Sequence, residues 1–189
     1  MRLWLVYGGS GSGKSAWAER ELLARAEGRA VYLATMEPGG GEAERRIRRH
    51  RAMRERHGAA AGKRFVTLEQ PVDIGRAAVR TGDWVLLEDL GNLLANEIWS
   101  PAGAGEGAVE RILAGIGSLA DRAELVAVVS CDVFADGGGY DPETERYIRW
   151  LGQLHREIAR MGAEVVEVVC GLAAVRPPDR RDRSSGAAE

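Results

Sequence analysis

A glycine-rich segment, Gly-Gly-Ser-Gly-Ser-Gly-Lys-Ser, occupies residues 8–15 of the 189-residue chain. It follows a short apolar run from Leu3 to Tyr7 and precedes a helical pattern that begins near Lys14. The spacing is G-x-x-x-x-G-K-[ST], in which glycines let the backbone curl around a phosphate and direct its N–H groups at the oxygens. A strand, a loop of this type and a helix, in this order, predict a nucleotide phosphate site.

The last two residues of this segment have predicted roles in the chemistry. Lys14 would reach the outer phosphates as a point charge, and Ser15 would offer its hydroxyl to Mg²⁺. The helix that follows would add its unsatisfied N–H groups and the positive end of its dipole. A flexible glycine/serine linker that binds nothing is the alternative. The residues predicted to bind the nucleotide are Gly8, Gly9, Ser10, Gly11, Ser12, Gly13, Lys14 and Ser15.

Composition narrows the class of protein. Hydrophobic residues make up 45% of the chain and charged residues 29%, values typical of a soluble globular protein. The formal net charge of −2 gives no overall electrostatic reason to bind nucleic acid. No apolar run is long enough for a signal-peptide core or a membrane span, so we expect a cytoplasmic protein. Cys131 and Cys170 each close a β-branched run, which favours buried reduced thiols over a disulfide or a metal-binding pair.

Apolar runs alternate with helical patterns along the chain. We expect strands at 3–7, 30–34, 64–69, 84–87, 125–130 and 164–170, and helices at 14–26, 42–57, 71–80, 90–99, 108–122 and 143–161. The apolar runs are too continuous for burial on one side only, so they predict an α/β fold with a mainly parallel sheet covered on both faces. We expect one nucleotide-binding domain over residues 1–175 and a polar tail without regular structure over 176–189.

Acidic and polar residues follow two of the predicted strands. The apolar strand at 84–87 ends in Glu88-Asp89, and an acid at such a strand end can hold the Mg²⁺ that bridges nucleotide phosphates. We therefore expect Glu88 and Ser15 to be the metal ligands. Thr35 follows the second strand, and in open α/β sheets ligands collect at the carboxyl ends of strands.

The predicted helix at 42–57 carries seven arginines and the histidine His50. A neutral imidazole can attack phosphorus to form a phosphoramidate, and nearby guanidinium groups would depress the pKa of the imidazole and stabilise phosphoryl charge. The residues alone leave two interpretations of His50 open, a nucleophile or a partly exposed helix histidine. An RNA-binding surface is disfavoured because the helix lacks aromatic residues for stacking.

Several motifs of this sequence, and their order along the chain, resemble those of a known protein family. The shared motifs are the glycine-rich segment, Tyr32-Leu33-Ala34-Thr35, Arg46-Ile47-Arg48-Arg49-His50-Arg51, Thr67-x-Glu69, the acid-ended strand with Asn96 beyond it, and Val169-Cys170-Gly171. Over residues 1–172 the chain resembles the bifunctional adenosylcobinamide kinase/adenosylcobinamide-phosphate guanylyltransferase family of cobalamin assembly. The resemblance implies a P-loop NTPase-like three-layer sandwich.

The resemblance also implies two reactions at one sheet edge. A nucleoside triphosphate, ATP or GTP, would phosphorylate adenosylcobinamide; GTP would then transfer GMP to His50 and from there to the corrinoid phosphate. Mg²⁺ would assist, and a homotrimer would complete the corrinoid site from neighbouring subunits. Beyond the glycine-rich segment, the nucleotide contacts that the resemblance implies are Thr35, Met36, Glu37, Arg51, Ala52, Met53, Arg54, Glu69 and Glu88.

Two other functions remain open from the residues. The protein could be a kinase of another small hydroxyl substrate in which His50 is not used, or a regulatory module that binds nucleotide without transferring any group. Departures from the family pattern bear on this choice. One of them is Gly11, which stands where the family usually has arginine, and another is the pair His155-Arg156 in place of Asn-Gln.

Overall fold

The structure is a computed structural model that describes residues 2–37, 52, 55, 62–133 and 139–176. Strands and helices alternate along these residues, joined in two places by short 3₁₀ turns, Ile74–Arg76 and Gly105–Gly107. The strands are β1 (Leu3–Gly8), β2 (Ala30–Ala34), β3 (Phe65–Glu69), β4 (Trp84–Glu88), β5 (Leu125–Cys131), β6 (Glu164–Val169) and β7 (Leu172–Arg176). The α-helices are α1 (Lys14–Arg25), α2 (Leu90–Trp99), α3 (Ala108–Arg122) and α4 (Pro142–Arg160).

The described strands form one sheet in the order β3-β2-β4-β5-β1-β6-β7. Neighbouring strands run parallel except β6 and β7, which form an antiparallel hairpin. In the register of the sheet, Gly8 of β1 lies opposite Cys131 of β5, and Ala34 of β2 lies opposite Glu88 of β4. Because these strands are parallel, the residues that follow β1, β2, β4 and β5 meet at one edge of the sheet.

Helices cover both faces of the sheet. Helix α1 packs Leu22 and Leu23 against the face that carries Val6 and Tyr32. Helices α2, α3 and α4 cover the opposite face, where alternate strand residues such as Leu5 contribute to a larger core. Among the described helices, none is both long and apolar enough to cross a bilayer.

The α/β fold with a mainly parallel sheet, predicted from the sequence, is confirmed. Each of the six predicted strands is present, and so are the helices predicted at 14–26, 90–99, 108–122 and 143–161, with small shifts at their ends. The helix predicted at 42–57 lies outside the described residues except for Ala52 and Glu55, both of which are helical. The tail from residue 177 also lies outside them.

The helix predicted at 71–80 is wrong, because this segment contains only the 3₁₀ turn at Ile74–Arg76. Its carbonyl groups have a tertiary partner instead of a helical one. The guanidinium of Arg122 donates to the carbonyls of Gly75, Ala77 and Val79 at 3.0, 3.3 and 3.0 Å. A long-range cation thus satisfies the backbone that a local helix would have paired.

Strand β7 was not expected from the sequence, which predicted β6 as the last strand and a tail from Arg176. Cys170 and Gly171 form the two-residue turn between β6 and β7, with φ angles of +51° and +80°. Positive φ at both positions is the hairpin geometry that matches the twist of the flanking strands. The prediction that Cys170 is buried is also wrong, since the side chain is exposed at this turn, while Cys131 is partly exposed.

Candidate active site

The glycine-rich segment connects β1 to α1 as a tight loop. Gly11 and Gly13 have φ angles of +72° and +89°, which only glycine adopts without strain. The Ser12 N–H donates to the Gly9 carbonyl at 3.1 Å, and the α1 helix begins directly after Gly13. The predicted order of strand, loop and helix is therefore present, with the amino end of α1 at the loop.

The β6–β7 hairpin packs against this loop. The Gly171 N–H donates to the Ser12 carbonyl at 2.8 Å. A Cβ atom at Gly8 would lie 2.4 Å from the Val168 carbonyl oxygen, and one at Gly13 would lie 3.3 Å from the Gly171 Cα. Backbone packing thus excludes a side chain at Gly8 and leaves little room for one at Gly13. Nothing in the sequence pattern pointed to the hairpin as a partner of the loop.

Ser15 and Glu88 lie in direct contact at the end of the loop. The Ser15 hydroxyl donates to Glu88 Oε1 at 2.7 Å, although the two residues are 73 positions apart in sequence. Ser15 is placed by the first turn of α1, and Glu88 by the carboxyl end of β4. Strand β5 lies between β1 and β4, so the side chains meet across it. The two predicted metal ligands are therefore brought together.

Burial and charge place Glu88 in an unusual state. The residue is 9% exposed, and its second carboxyl oxygen, Oε2, has no hydrogen-bond partner among the residues that the structure describes. Burial, followed by the carboxylate of Asp89, raises the pKa of Glu88 to about 8, and the Ser15 hydrogen bond opposes this increase. The carboxyl group is therefore mostly neutral at pH 7 in the apo protein. A nearby cation would favour its ionised form.

The donors at this position fit Mg²⁺. Ser15 and Glu88 offer oxygen atoms only, and the unpaired Glu88 Oε2 is a buried acceptor available to a cation. Mg²⁺ is usually held by one or two protein oxygens together with substrate phosphates and water. The described parts of the chain contain no group of three or more acidic, histidine or cysteine side chains that could hold a metal ion.

Lys14 is the cation closest in sequence to the loop. Its Nζ donates to the Gly9 carbonyl at 3.2 Å in an exposed position, so the ammonium group curls over the loop. A phosphate oxygen is a stronger acceptor than this carbonyl because it is charged. Lys14 is therefore placed to exchange one acceptor for the other when an anion enters.

The predicted residues at the ends of β2 and β3 have different surroundings. Thr35 is fully buried, and its hydroxyl contacts the backbone of Glu88 and Asp89. Met36 is partly exposed and Glu37 is exposed. Glu69 ends the outermost strand, β3, four strands from β1, or about 19 Å at the usual strand spacing. Glu69 is therefore not brought to the phosphate loop.

Several predicted residues lie outside the described part of the chain. His50, the predicted nucleophile, is among them, as are Arg51, Met53 and Arg54. Ala52 is described as helical and exposed. The assignments of these residues stay predictions.

A polar pair that the sequence did not indicate lies beside the loop. Ser130, opposite Tyr7 in the β1–β5 register, is fully buried, and its hydroxyl lies 2.7 Å from His155 Nε2. Burial lowers the pKa of His155 to about 4, with Asp132 opposing the shift. The imidazole is therefore neutral at physiological pH. Single residues on a strand and on α4 gave no pattern from which this pairing could be predicted.

The chain is similar to known proteins over most of its length. A sequence model of the family described as cobinamide kinase / cobinamide phosphate guanyltransferase matches residues 4–175. The chain is also 36% identical over 177 residues to the bifunctional adenosylcobalamin biosynthesis protein CobP of Pseudomonas aeruginosa, with 89% of this chain and 93% of the relative covered. The resemblance stated from the sequence motifs is confirmed, and the chain belongs to the cobinamide kinase / cobinamide phosphate guanyltransferase family.

Proposed function

We propose that this protein phosphorylates adenosylcobinamide and then transfers GMP from GTP to adenosylcobinamide phosphate, through a guanylyl-histidine intermediate at His50. The observation that carries the proposal is the contact between Ser15 and Glu88 at 2.7 Å, at the end of a glycine-rich loop that opens a helix. This pair supports a P-loop type of nucleotide site. Family membership supplies the corrinoid acceptor.

In the first reaction, the loop and Lys14 bind the triphosphate. Backbone N–H groups at the amino end of α1 donate to phosphate oxygens, and the Lys14 ammonium leaves the Gly9 carbonyl to contact the outer phosphates. The hydroxyl oxygen of the corrinoid side chain attacks the γ-phosphorus, and its proton passes to solvent. The bond from that phosphorus to the β-bridging oxygen breaks, and the nucleoside diphosphate leaves.

Ser15 and Glu88 are the residues that would hold Mg²⁺ during this step. The metal would supply positive charge that neutralises the phosphate groups. Glu88 would bind it as the carboxylate, with its proton released to solvent. Ser15 would offer its hydroxyl oxygen from a position within hydrogen-bond distance of the Glu88 carboxyl.

In the second reaction, a ring nitrogen of His50 attacks the α-phosphorus of GTP. The bond to the α,β-bridging oxygen breaks and pyrophosphate leaves, which produces guanylylated His50. A phosphate oxygen of the corrinoid phosphate then attacks the same phosphorus and displaces the imidazole. Dividing the transfer into two displacements lets one site handle two large partners in sequence.

Labelled GTP tests the covalent intermediate. After incubation with GTP labelled at the α-phosphate and Mg²⁺, protein-bound label should survive alkali, be lost in acid and be absent from His50→Ala. His57→Ala is the matched control, since it removes the other histidine of the same basic segment, and it should keep the label. Corrinoid phosphorylation without protein-bound label would reduce the function to that of a kinase. Nucleotide binding without turnover would indicate a regulatory module.

The proposal extends to assembly. A homotrimer whose neighbouring subunits complete the corrinoid site is the arrangement that we propose in solution. Sedimentation equilibrium measures it directly. A monomer that is fully active at assay concentration would contradict the shared site.

A further inference from the structure

The side chain of Thr35 makes hydrogen bonds within the protein that the sequence did not indicate. Thr35 directly follows β2 and is fully buried. Its hydroxyl oxygen accepts the Asp89 N–H at 2.8 Å and lies 3.0 and 2.9 Å from the carbonyl oxygens of Glu88 and Asp89. One side chain on β2 therefore contacts three backbone groups at the end of β4.

These contacts use the hydrogen-bonding capacity of the hydroxyl. A threonine hydroxyl has one proton to donate and two lone pairs that accept. The Asp89 N–H takes one lone pair, and the two carbonyls share the proton. No proton remains for a phosphate oxygen, so the hydroxyl can donate to a nucleotide phosphate only by releasing the end of β4.

The end of β4 needs such support because the sheet does not provide it. The register between β4 and β5 ends at Leu87, whereas that between β4 and β2 continues to Glu88. Beyond that point the Thr35 N–H donates to the Glu88 carbonyl at 3.1 Å, and the Thr35 hydroxyl continues the pairing to Asp89. Thr35 thus continues the hydrogen bonding of β4 beyond Glu88, on the side of β4 that faces β2.

Asn96 holds Thr35 in turn. The amide nitrogen of Asn96, on α2, donates to the carbonyls of Thr35 at 2.7 Å and Pro71 at 3.0 Å. Helix α2 itself begins directly after Asp89, which caps it by accepting the Asn92 N–H at 2.8 Å. The ends of β2 and β4 and the helix that follows are therefore tied into one hydrogen-bonded unit.

We propose that Thr35, held by Asn96, is a positioning residue that fixes Glu88 at the distance from Ser15 required for a Mg²⁺–nucleotide complex. The proposal rests on the nucleotide site described under the proposed function. It assigns Thr35 an indirect effect on the metal-dependent part of binding. Residues that orient a metal ligand typically change metal affinity about 10–100-fold when they are removed.

Thr35→Val tests this role, because valine keeps the shape of the side chain and loses the hydroxyl. The probe is GTP binding to the purified full chain, measured by calorimetry in EDTA and across a Mg²⁺ titration. We expect the half-saturating Mg²⁺ concentration to rise about tenfold or more, while affinity in EDTA stays within about twofold. Glu88→Gln, which alters the ligand itself, should show the same pattern.

Two control variants separate positioning from stability. Thr35→Ser keeps the hydroxyl but loses the methyl group, so it should lower the melting temperature while keeping the Mg²⁺ dependence within about threefold of the wild type. Thr81→Val makes the same chemical change at an exposed position three residues before β4, at the opposite edge of the sheet, and should change neither property. If Thr35→Val does not fold, Asn96→Ala loosens the same unit and should shift the Mg²⁺ dependence in the same direction.

Three results would overturn the proposal. Equal loss of GTP affinity with and without Mg²⁺ in Thr35→Val would assign Thr35 a direct nucleotide contact. Unchanged Mg²⁺ dependence in Thr35→Val and Asn96→Ala would remove the positioning role. If the wild-type protein binds GTP with no dependence on Mg²⁺, there is no metal-dependent binding for Thr35 to influence, and the proposal fails. By contrast, if the wild type binds Mg²⁺–GTP but forms no corrinoid product, the proposed function fails while the role of Thr35 stands.

Discussion

Replacing Glu88 by glutamine should remove a pH dependence of folding stability that the native carboxyl group creates. The pKa of Glu88 is raised from its ordinary value of 4.5 to about 8 by burial and by the neighbouring Asp89. Between these two values the folded protein holds a proton that the unfolded chain has lost. The contribution of Glu88 to stability is therefore greatest below pH 4.5 and falls as the pH rises toward 8.

The size of this effect follows from the shift in pKa. Each pH unit inside the window changes the free energy of unfolding by at most about 1.4 kcal/mol per proton. From pH 6.0 to 7.5 the upper limit is about 2 kcal/mol, and we expect about 1–2 kcal/mol because part of the folded protein releases the proton as the pH approaches 8. Glutamine is neutral throughout, so Glu88→Gln should lack this decline.

Urea unfolding at several pH values, in EDTA and without nucleotide, measures the difference. Glu110→Gln is the matched control because it makes the same change at an exposed position of α3 and should keep the wild-type slope. Equal slopes for the wild type and Glu88→Gln would show that Glu88 is ionised in the apo protein. The inference that the Glu88 carboxyl group is neutral before metal binds would then be wrong.

Three further predictions concern the surroundings of the loop and the loop itself. Gly8→Ala should destabilise the fold by about 1–3 kcal/mol, because its Cβ would lie 2.4 Å from the Val168 carbonyl oxygen. In the control Gly9→Ala, the added Cβ would have no atom within 4 Å, so the melting temperature should change little. The pKa of His155 is lowered to about 4, so its contribution to stability is present above pH 6.5 and lost as the pH falls toward 4. In urea unfolding, His155→Gln should therefore lose less stability than the wild type between pH 6 and 4.5. Equal losses would show that the imidazole is protonated in the folded state. Lys14→Ala should weaken GTP binding in calorimetry while its melting temperature stays near the wild-type value, since the hydrogen bond from Lys14 to the Gly9 carbonyl is exposed. Unchanged affinity would count against the phosphate loop.

The parts of the fold that local patterns encode could be predicted from the sequence. Continuous apolar runs identified β1 to β6, and the G-K-S segment identified the loop between β1 and α1. Both signals depend on neighbouring residues alone, through side-chain burial and through the φ angles that glycine permits. The acid-ended strand was found in the same way, and its predicted partner Ser15 does contact Glu88.

The features that were missed depend on partners distant in sequence. The segment at 71–80 looks helical by composition, but Arg122 binds its carbonyl groups from α3. The residues of strand β7 show no clear alternation of apolar and polar side chains. The turn before β7 requires a positive φ angle at Cys170, and a cysteine in the sequence does not indicate such a turn. The hydroxyl of Thr35 could be placed near a ligand from its position after β2, but its bonds to the end of β4 could not be read from the sequence.

Mass spectrometry of the corrinoid product tests the central claim most directly. Purified protein incubated with adenosylcobinamide, GTP, ATP and Mg²⁺ should convert the corrinoid first to its phosphate and then to the GDP derivative, and Lys14→Ala should form neither. Wild-type protein that binds Mg²⁺–GTP but leaves the corrinoid unmodified would contradict the claim, and so would Lys14→Ala protein with the wild-type yield.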